Sequence, residues 1–145
     1  MKRFLFYSLF FVMLSAVKAQ SSVMEIRWDD HTGITYTGLV VLHPNNLGFM
    51  KVKYNIYPYG WIWCVQDMER TVHRDPFGNI TTYLTGSSPR ISDSRLMYAA
   101  DTFIIYPNGS MYTQDASGQW STKIRATVIE PRFWIVKFNE YGLKR

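Results

Sequence analysis

Three histidines and two aspartates are the residues of this sequence best suited to metal chemistry. His31, His43 and His73 fall at predicted turns or strand ends, and Asp29 and Asp75 lie two residues from the first and the last of them. Imidazole and carboxylate groups bind zinc and other divalent ions, so a fold that gathered these side chains could support a metal-dependent hydrolase. Histidine and aspartate at turns are usually solvated, however. We therefore rank this function last and expect no metal and no other cofactor.

A single thiol and one pair of carboxylates are the remaining candidates for catalysis. Cys64 lies between Trp63 and Val65 in an apolar segment, so we expect it to be buried and inert, and it has no second cysteine to pair with. Asp67 and Glu69 share one face of a predicted strand, whereas glycoside hydrolysis needs two carboxylates opposed across a cleft. The sequence contains no glycine-rich phosphate loop, no Gly-Xaa-Ser-Xaa-Gly and no His-Glu-Xaa-Xaa-His. These observations favour a protein that is not an enzyme.

The aromatic content of the chain favours a binding function instead. Tyr57, Tyr59, Trp61 and Trp63 follow one another at odd-numbered positions. Alternate residues of a strand point to the same face, so these four rings could form a platform for a stacked sugar or for a protein partner. The alternative is that Trp61 and Trp63 are large core residues. We take the four residues as the candidate ligand or partner surface.

The elements that must position these residues begin with a hairpin over residues 49–73. Apolar and polar side chains alternate along its first half, which is the period of a half-buried strand. Pro58 and Gly60 then interrupt the run, because proline fixes its backbone angle and glycine adopts conformations that other residues avoid. The chain is therefore predicted to fold back as a second strand.

Seven further segments carry a strand pattern, and no segment keeps a helical period over three turns. The sharpest hairpin turn is Pro107-Asn108-Gly109, since asparagine and glycine tolerate the positive φ angles of tight turns. Residues 86–96 form the largest irregular connection, and we look for a functional loop over residues 88–100. The seven predicted strands are residues 23–28, 34–42, 80–85, 101–106, 110–114, 120–129 and 132–138.

This pattern predicts an all-β fold, either an antiparallel barrel or a two-sheet sandwich of eight to nine short strands. Turns recur at intervals of about 8 to 12 residues, as in both architectures. We favour a barrel because closure removes unpaired strand edges. Residues 20–145 are then a single all-β domain.

Residues 1–19 have the pattern of a secretory signal peptide. Lys2 and Arg3 precede an apolar run over residues 4–14, and small residues lead to Ala19, after which we expect cleavage. The run is shorter than the ~20 residues that cross a bilayer, so we expect no membrane span after cleavage. The predicted location is secreted or periplasmic.

The charge of the mature chain argues against a nucleic acid partner. The formal net charge of the whole sequence is +5, and it falls to +2 without Lys2, Arg3 and Lys18. The remaining basic residues alternate with apolar ones, as expected on the solvent-exposed face of strands, and do not form a basic run. The oligomeric state remains open.

Two resemblances agree with this fold. The segments YTG at 36–38, MKVKY at 50–54, LTGSSP at 84–89 and DTF at 101–103 resemble a group of uncharacterised small secreted bacterial β-domains. That likeness implies the fold and the compartment. The segments FIIYPNGSMY at 103–112 and GQW at 118–120 are similar to the late hairpins of lipocalin-like domains, which implies a ligand cavity.

Three functions therefore remain open at the level of sequence. The first is an exported non-catalytic module that binds a protein or a glycan through the aromatic hairpin and residues 88–100. The second is a lipocalin-like carrier of a small apolar ligand. The third is the metal-dependent hydrolase. The predicted lining of the carrier cavity is Met50, Val52, Tyr54, Ile124 and Val128.

Overall fold

The computed structural model describes residues 21–115, 117–121 and 124–140, so the predicted signal peptide lies outside the described residues. These residues contain nine strands, a 3-10 turn (Pro131–Phe133) and a short helix, α1 (Trp134–Glu140). The strands are β1 (Ser22–Asp29), β2 (Thr35–Leu42), β3 (Leu47–Ile56), β4 (Gly60–Arg74), β5 (Ile80–Ile91), β6 (Thr102–Ile105), β7 (Met111–Gln114), β8 (Trp120–Ser121) and β9 (Arg125–Ile129).

The nine strands form one antiparallel sheet. Its order is β8-β7-β6-β5-β4-β3-β2-β1-β9, so consecutive strands from β1 to β8 are neighbours. β9 returns to the opposite edge and pairs with β1, from Val23 with Ile129 to Arg27 with Arg125. The sheet curls into a half-barrel, which confirms the prediction of an all-β antiparallel fold with eight to nine strands.

The main core fills the inner face of the curl. Even-numbered residues of β1 to β4 point inward, because side chains alternate between the two faces of a strand and the registers are continuous. Cys64 is among them and is fully buried, as expected, and as the single cysteine it forms no internal disulfide. Its buried members are Ile26, Trp28, Val40, Leu42, Met50, Val52, Tyr54, Ile62, Cys64, Met68, Leu84 and Phe103.

A second, smaller core lies on the outer face under α1. Phe138 packs there with Leu39, Val41 and Phe49 of β2 and β3. The prediction of a last strand over residues 132–138 is therefore wrong. In a segment this short, a helix cannot be told from a buried strand by periodicity, and the apolar outer face supplies the surface that α1 covers. Neither helical segment of the described residues is long enough and apolar enough to cross a bilayer.

Two other predicted boundaries are wrong. Residues 86–91 were expected to be irregular, but they belong to β5, whose pairing with β4 continues across a bulge between Val65 and Asp67. Their small, polar composition is that of a loop, and the long partner strand holds them in the sheet instead. The predicted strand over residues 120–129 divides into β8 and β9, which lie at opposite edges of the sheet.

Candidate functional site

The aromatic residues predicted from the sequence lie at the turn between β3 and β4. The ladder ends where Ile56 pairs with Gly60, whose φ of +78° suits glycine, and the turn projects the intervening side chains into solvent. Tyr57 is 93% exposed, Tyr59 39% and Trp61 56%. We call these three residues the aromatic tip.

Two cationic side chains border the aromatic tip. The Arg95 guanidinium lies 4.9 Å from the ring centroid of Tyr59, and Lys53 Nζ lies 6.0 Å from that of Trp61. Arg95 is itself fixed by Asp93, through bonds of 2.9 Å from Nε to Oδ1 and 2.6 Å from a terminal nitrogen to Oδ2. The tip thus combines exposed rings with an ordered guanidinium.

Trp63, the fourth candidate, does not belong to the tip. Its side chain is half-buried and packs against the outer core beneath α1. Its Nε1 is buried and has no hydrogen-bond partner among the described residues. The alternation therefore places Trp63 on the same face as Trp61, but Trp63 packs against the outer core there and does not join the tip.

The three histidines do not converge. His31 lies in the β1–β2 turn and contacts Asp115, whereas His43 and His73 lie at the other end of the sheet, where His43 contacts Ser21 and His73 contacts Tyr83. No group of three potential metal ligands from His, Cys, Asp or Glu is found in the described part of the chain. The two aspartates proposed as metal ligands form hydrogen bonds within their own turns. Asp29 accepts a bond from Thr35, and Asp75 caps the β4–β5 turn.

The other catalytic candidates have ordinary environments. Burial raises the pKa of Cys64 to about 12, so this thiol stays protonated and unreactive at neutral pH. Asp67 and Glu69 are both exposed, and Asp67 forms a 3.4 Å ion pair with Arg90. Both lie on β4, so the two carboxylates do not oppose each other across a cleft.

A cavity that the sequence did not reveal opens at the same end of the curl as the aromatic tip. Its volume is about 450 Å³, within the range of about 300 to 1,000 Å³ typical of small-molecule sites. It lies between the β1–β2 turn, the loop before β6 and the β7–β8 turn. We call it the mouth. Its principal lining residues are Trp28, Asp30, His31, Ile34, Tyr36, Tyr54, Ile56, Leu96, Tyr98, Asp101 and Asp115.

The predicted carrier lining coincides with the mouth at one residue only. Met50 and Val52 are fully buried within the inner core, Val128 is 82% exposed, and Ile124 packs against the core. Only Tyr54 also lines the mouth. The middle of the half-barrel is filled with side chains, so a small ligand has room at its end.

A hydrogen-bond network closes the deep side of the mouth. Asp101 Oδ2 accepts bonds from Tyr98 Oη (2.7 Å) and from Gln66 Nε2 (2.7 Å), while the Asp101 amide donates to Gln66 Oε1 (2.8 Å). Gly86 leaves the space for this network, because a Cβ there would lie 2.1 Å from Gln66 Oε1. Burial raises the pKa of Asp101 to about 6, although the bonds from Tyr98 and Gln66 oppose the shift.

A second carboxylate lies at the rim of the mouth. Asp30 Oδ1 accepts bonds from Thr32 and from the Ile34 amide, and its Oδ2 accepts the Tyr36 hydroxyl at 3.0 Å. Partial burial raises the pKa of Asp30, but these hydrogen bonds outweigh it and hold the pKa below its usual value. Asp30 is therefore ionised at neutral pH. Desolvation and the neighbouring Asp30 raise the pKa of Tyr36, which keeps its proton.

Sequence reasoning missed the mouth because its parts are distant along the chain. Alternation alone could have placed Tyr36 and Tyr54 on one inner face, and the two residues do pair directly across β2 and β3. Nothing local in the sequence shows that the loop carrying Tyr98 and Asp101 folds over that face, or that Asp115 meets a turn 84 residues earlier.

Comparison with known proteins identifies no relative: no family model, no curated protein and no solved structure matches this chain.

Proposed function

We propose that the protein is an exported, non-catalytic binding module that holds a protein partner through the aromatic tip. The observation that carries the proposal is the exposure of Tyr57, Tyr59 and Trp61 together at one turn. Exposed apolar side chains that are grouped at one place mark interaction sites, whereas a single exposed side chain such as Phe77 is ordinary surface. The predicted signal peptide is the basis for the export part of the proposal.

The composition of the tip favours a protein over a glycan. Tyrosine, tryptophan and arginine are the residue types that dominate binding energy at protein interfaces. Arg95 covers the ring of Tyr59, so that ring is already stacked and is less available to a sugar. Asp93 fixes the guanidinium before any partner arrives, which lowers the entropy lost on binding.

In-cell photo-crosslinking tests this proposal in the native host. A photoreactive residue replaces Tyr57, and the control carries it at Phe77, which is 90% exposed at the β4–β5 turn. We expect a discrete protein adduct from position 57, none from position 77, and loss of the adduct when Trp61→Ala is added. Equal labelling at both positions would overturn the proposal. Binding to a glycan array that Trp61→Ala abolishes would replace the protein partner with a carbohydrate.

Export is tested separately by cell fractionation and by N-terminal sequencing of the purified protein. We expect the protein outside the cytoplasm, with a mature chain that begins at Gln20. Recovery from the cytoplasm with residues 1–19 intact would contradict export.

A second candidate function is a carrier of a small molecule. The mouth favours it, because an aromatic cavity of about 450 Å³ at the end of a curled sheet is a common place for a ligand. The carrier and the binding module use different residues and can be tested independently.

A further inference from the structure

The charges that line the mouth all have one sign, apart from one histidine. Asp30, Asp101 and Asp115 contribute carboxylates, and no Lys or Arg occurs among the described lining residues. His31 lies against Asp115, whose carboxylate accepts a hydrogen bond from the His31 ring nitrogen Nδ1. The chain carries a formal net charge of +2 even without Lys2, Arg3 and Lys18, so an acidic cavity is not a consequence of overall composition.

The walls of the mouth are aromatic. The Tyr36 and Tyr54 ring centroids are 4.9 Å apart, and those of Tyr54 and Tyr98 are 5.8 Å apart, so three rings form one continuous surface. The face of an aromatic ring attracts cations through its quadrupole, and the attraction grows when the cation loses water. Aromatic walls and carboxylates together favour the same kind of ligand.

We propose that the mouth binds a small organic cation, an alkylammonium or arylammonium compound, with its apolar part against Tyr36 and Tyr98 and its charge facing Asp101 and Asp30. A carboxylate has about four acceptor positions, and Asp101 uses two of them, both on Oδ2, for Tyr98 and Gln66. This inference rests on the carrier function and is independent of the aromatic tip.

The proposal predicts that binding weakens in mild acid. Asp101 interacts with Gln66 and Cys64 of β4, Tyr36 of β2, Tyr54 of β3 and Tyr98 of its own loop. The thiol and the tyrosines keep their protons well above neutral pH, because burial raises their pKa values. Protonation of Asp101 therefore removes the charge nearest the ligand. The other charged groups of the mouth are Asp30, Asp115 and His31.

The test uses the purified mature protein and two probes of matched shape. Benzyltrimethylammonium is the cation, and neopentylbenzene is its neutral isostere. Binding is followed by chemical-shift changes in the protein NMR spectrum. We expect the cation to shift resonances of Tyr36, Tyr98 and Asp101, and to bind at least tenfold more tightly than the neutral probe.

Two variants complete the test. Asp101→Asn keeps an oxygen for Tyr98 and Gln66 but removes the charge, and we expect at least tenfold weaker cation binding. Asp67→Asn removes an exposed carboxylate outside the mouth and should leave binding unchanged. Lowering the pH from 7.5 to 5 should weaken binding about tenfold in the wild type and clearly less in Asp101→Asn.

The outcomes separate the inference from the carrier function. Equal affinity for both probes would overturn the preference for a cation and leave a carrier of neutral ligands. An undiminished cation affinity in Asp101→Asn would overturn the role of Asp101 in recognising the charge. If neither probe changes the chemical shifts of residues at the mouth, both the proposal of a cation ligand and the carrier function are overturned.

Discussion

At Asp101, burial and charge oppose each other. It is 6% exposed, and its carboxylate is held by Tyr98 and Gln66 in the inner core. Burial of a carboxylate disfavours its charged form, which explains why the pKa of Asp101 rises to about 6 from 3.8. The folded protein therefore retains this proton at pH values where the unfolded chain has lost it.

This difference makes the stability of the fold depend on pH. A raised pKa in the folded state contributes stability that is fully present below pH 3.8 and is lost as the pH rises through about 6. A difference of about two pKa units corresponds to ~3 kcal/mol. We predict that Asp101→Asn, which keeps both accepted bonds, stabilises the protein by up to about 3 kcal/mol at pH 8 and has little effect at pH 3.5. Urea unfolding at the two pH values measures this difference.

An Asp101→Asn effect of the same size at both pH values would contradict the prediction. The asparagine variant should thus be more stable and yet bind the organic cation less well. Such an exchange of stability against binding is common where a functional group is kept in an unfavourable environment.

At the scale of the element, the short helix α1 is held by contacts between its buried face and the sheet. The Phe138 and Phe49 rings meet edge-on with their centroids 5.3 Å apart. Lys51 Nζ lies 4.1 Å from the centroid of the Phe138 ring. Lys51 is fully buried below the helix and donates to the Phe138 carbonyl at 3.0 Å, near the C-terminal end of α1 where a cation is favoured. Burial lowers the pKa of Lys51 to about 8.

We predict that Phe138→Ala destabilises the protein by about 3 kcal/mol, because it removes the main buried contact of α1. It should also let water reach Lys51, so that the pKa of Lys51 rises toward 10.5. Urea unfolding measures the first effect, and NMR titration of the Lys51 side chain measures the second. Ile135→Ala is the matched control, since Ile135 is exposed on the same helix. Equal effects of the two substitutions would show that α1 is not held by Phe138.

The same elements show what sequence can and cannot predict. The register of β3 and β4 follows from alternation and from Gly60, and both are local, so this hairpin was predicted well. The exposure of Tyr57 and Trp61 follows from the same turn. α1 was mistaken for a strand because its helical state depends on an apolar surface made by β2 and β3. The glycine at position 38 leaves room for a neighbouring side chain of β3, because an added Cβ there would lie 2.9 Å from Met50 Sδ.

At the scale of the whole molecule, the curl of the sheet brings together strands that lie far apart in its order. β1 and β7 are separated by five strands, yet the turn after β1 and the turn after β7 meet, because the Asp115 carboxylate accepts a hydrogen bond from the His31 ring. Trp28 of β1 likewise meets Phe103 of β6 edge-on at 5.1 Å. The long strands β4 and β5 and the bulge between Val65 and Asp67 supply the bend that this geometry needs. These contacts join the two sides of the mouth.

We predict that His31→Ala loosens this closure without unfolding the core. Asp115 keeps its own turn, because it still accepts bonds from the Ser117 amide at 2.9 Å and the Gln119 amide at 3.2 Å. The side-chain contacts of His31 with Asp115 and Ser117 are lost, while the His31 amide still donates to Asp115 Oδ2 at 3.3 Å. Hydrogen exchange should therefore become faster in a peptide covering residues 111–121 and stay unchanged in β3, since exchange reports local opening. His73→Ala removes another exposed histidine at a strand end and should leave both regions unchanged. Unaltered exchange over residues 111–121 in His31→Ala would contradict the prediction and would mean that the His31 side chain does not hold the two turns together.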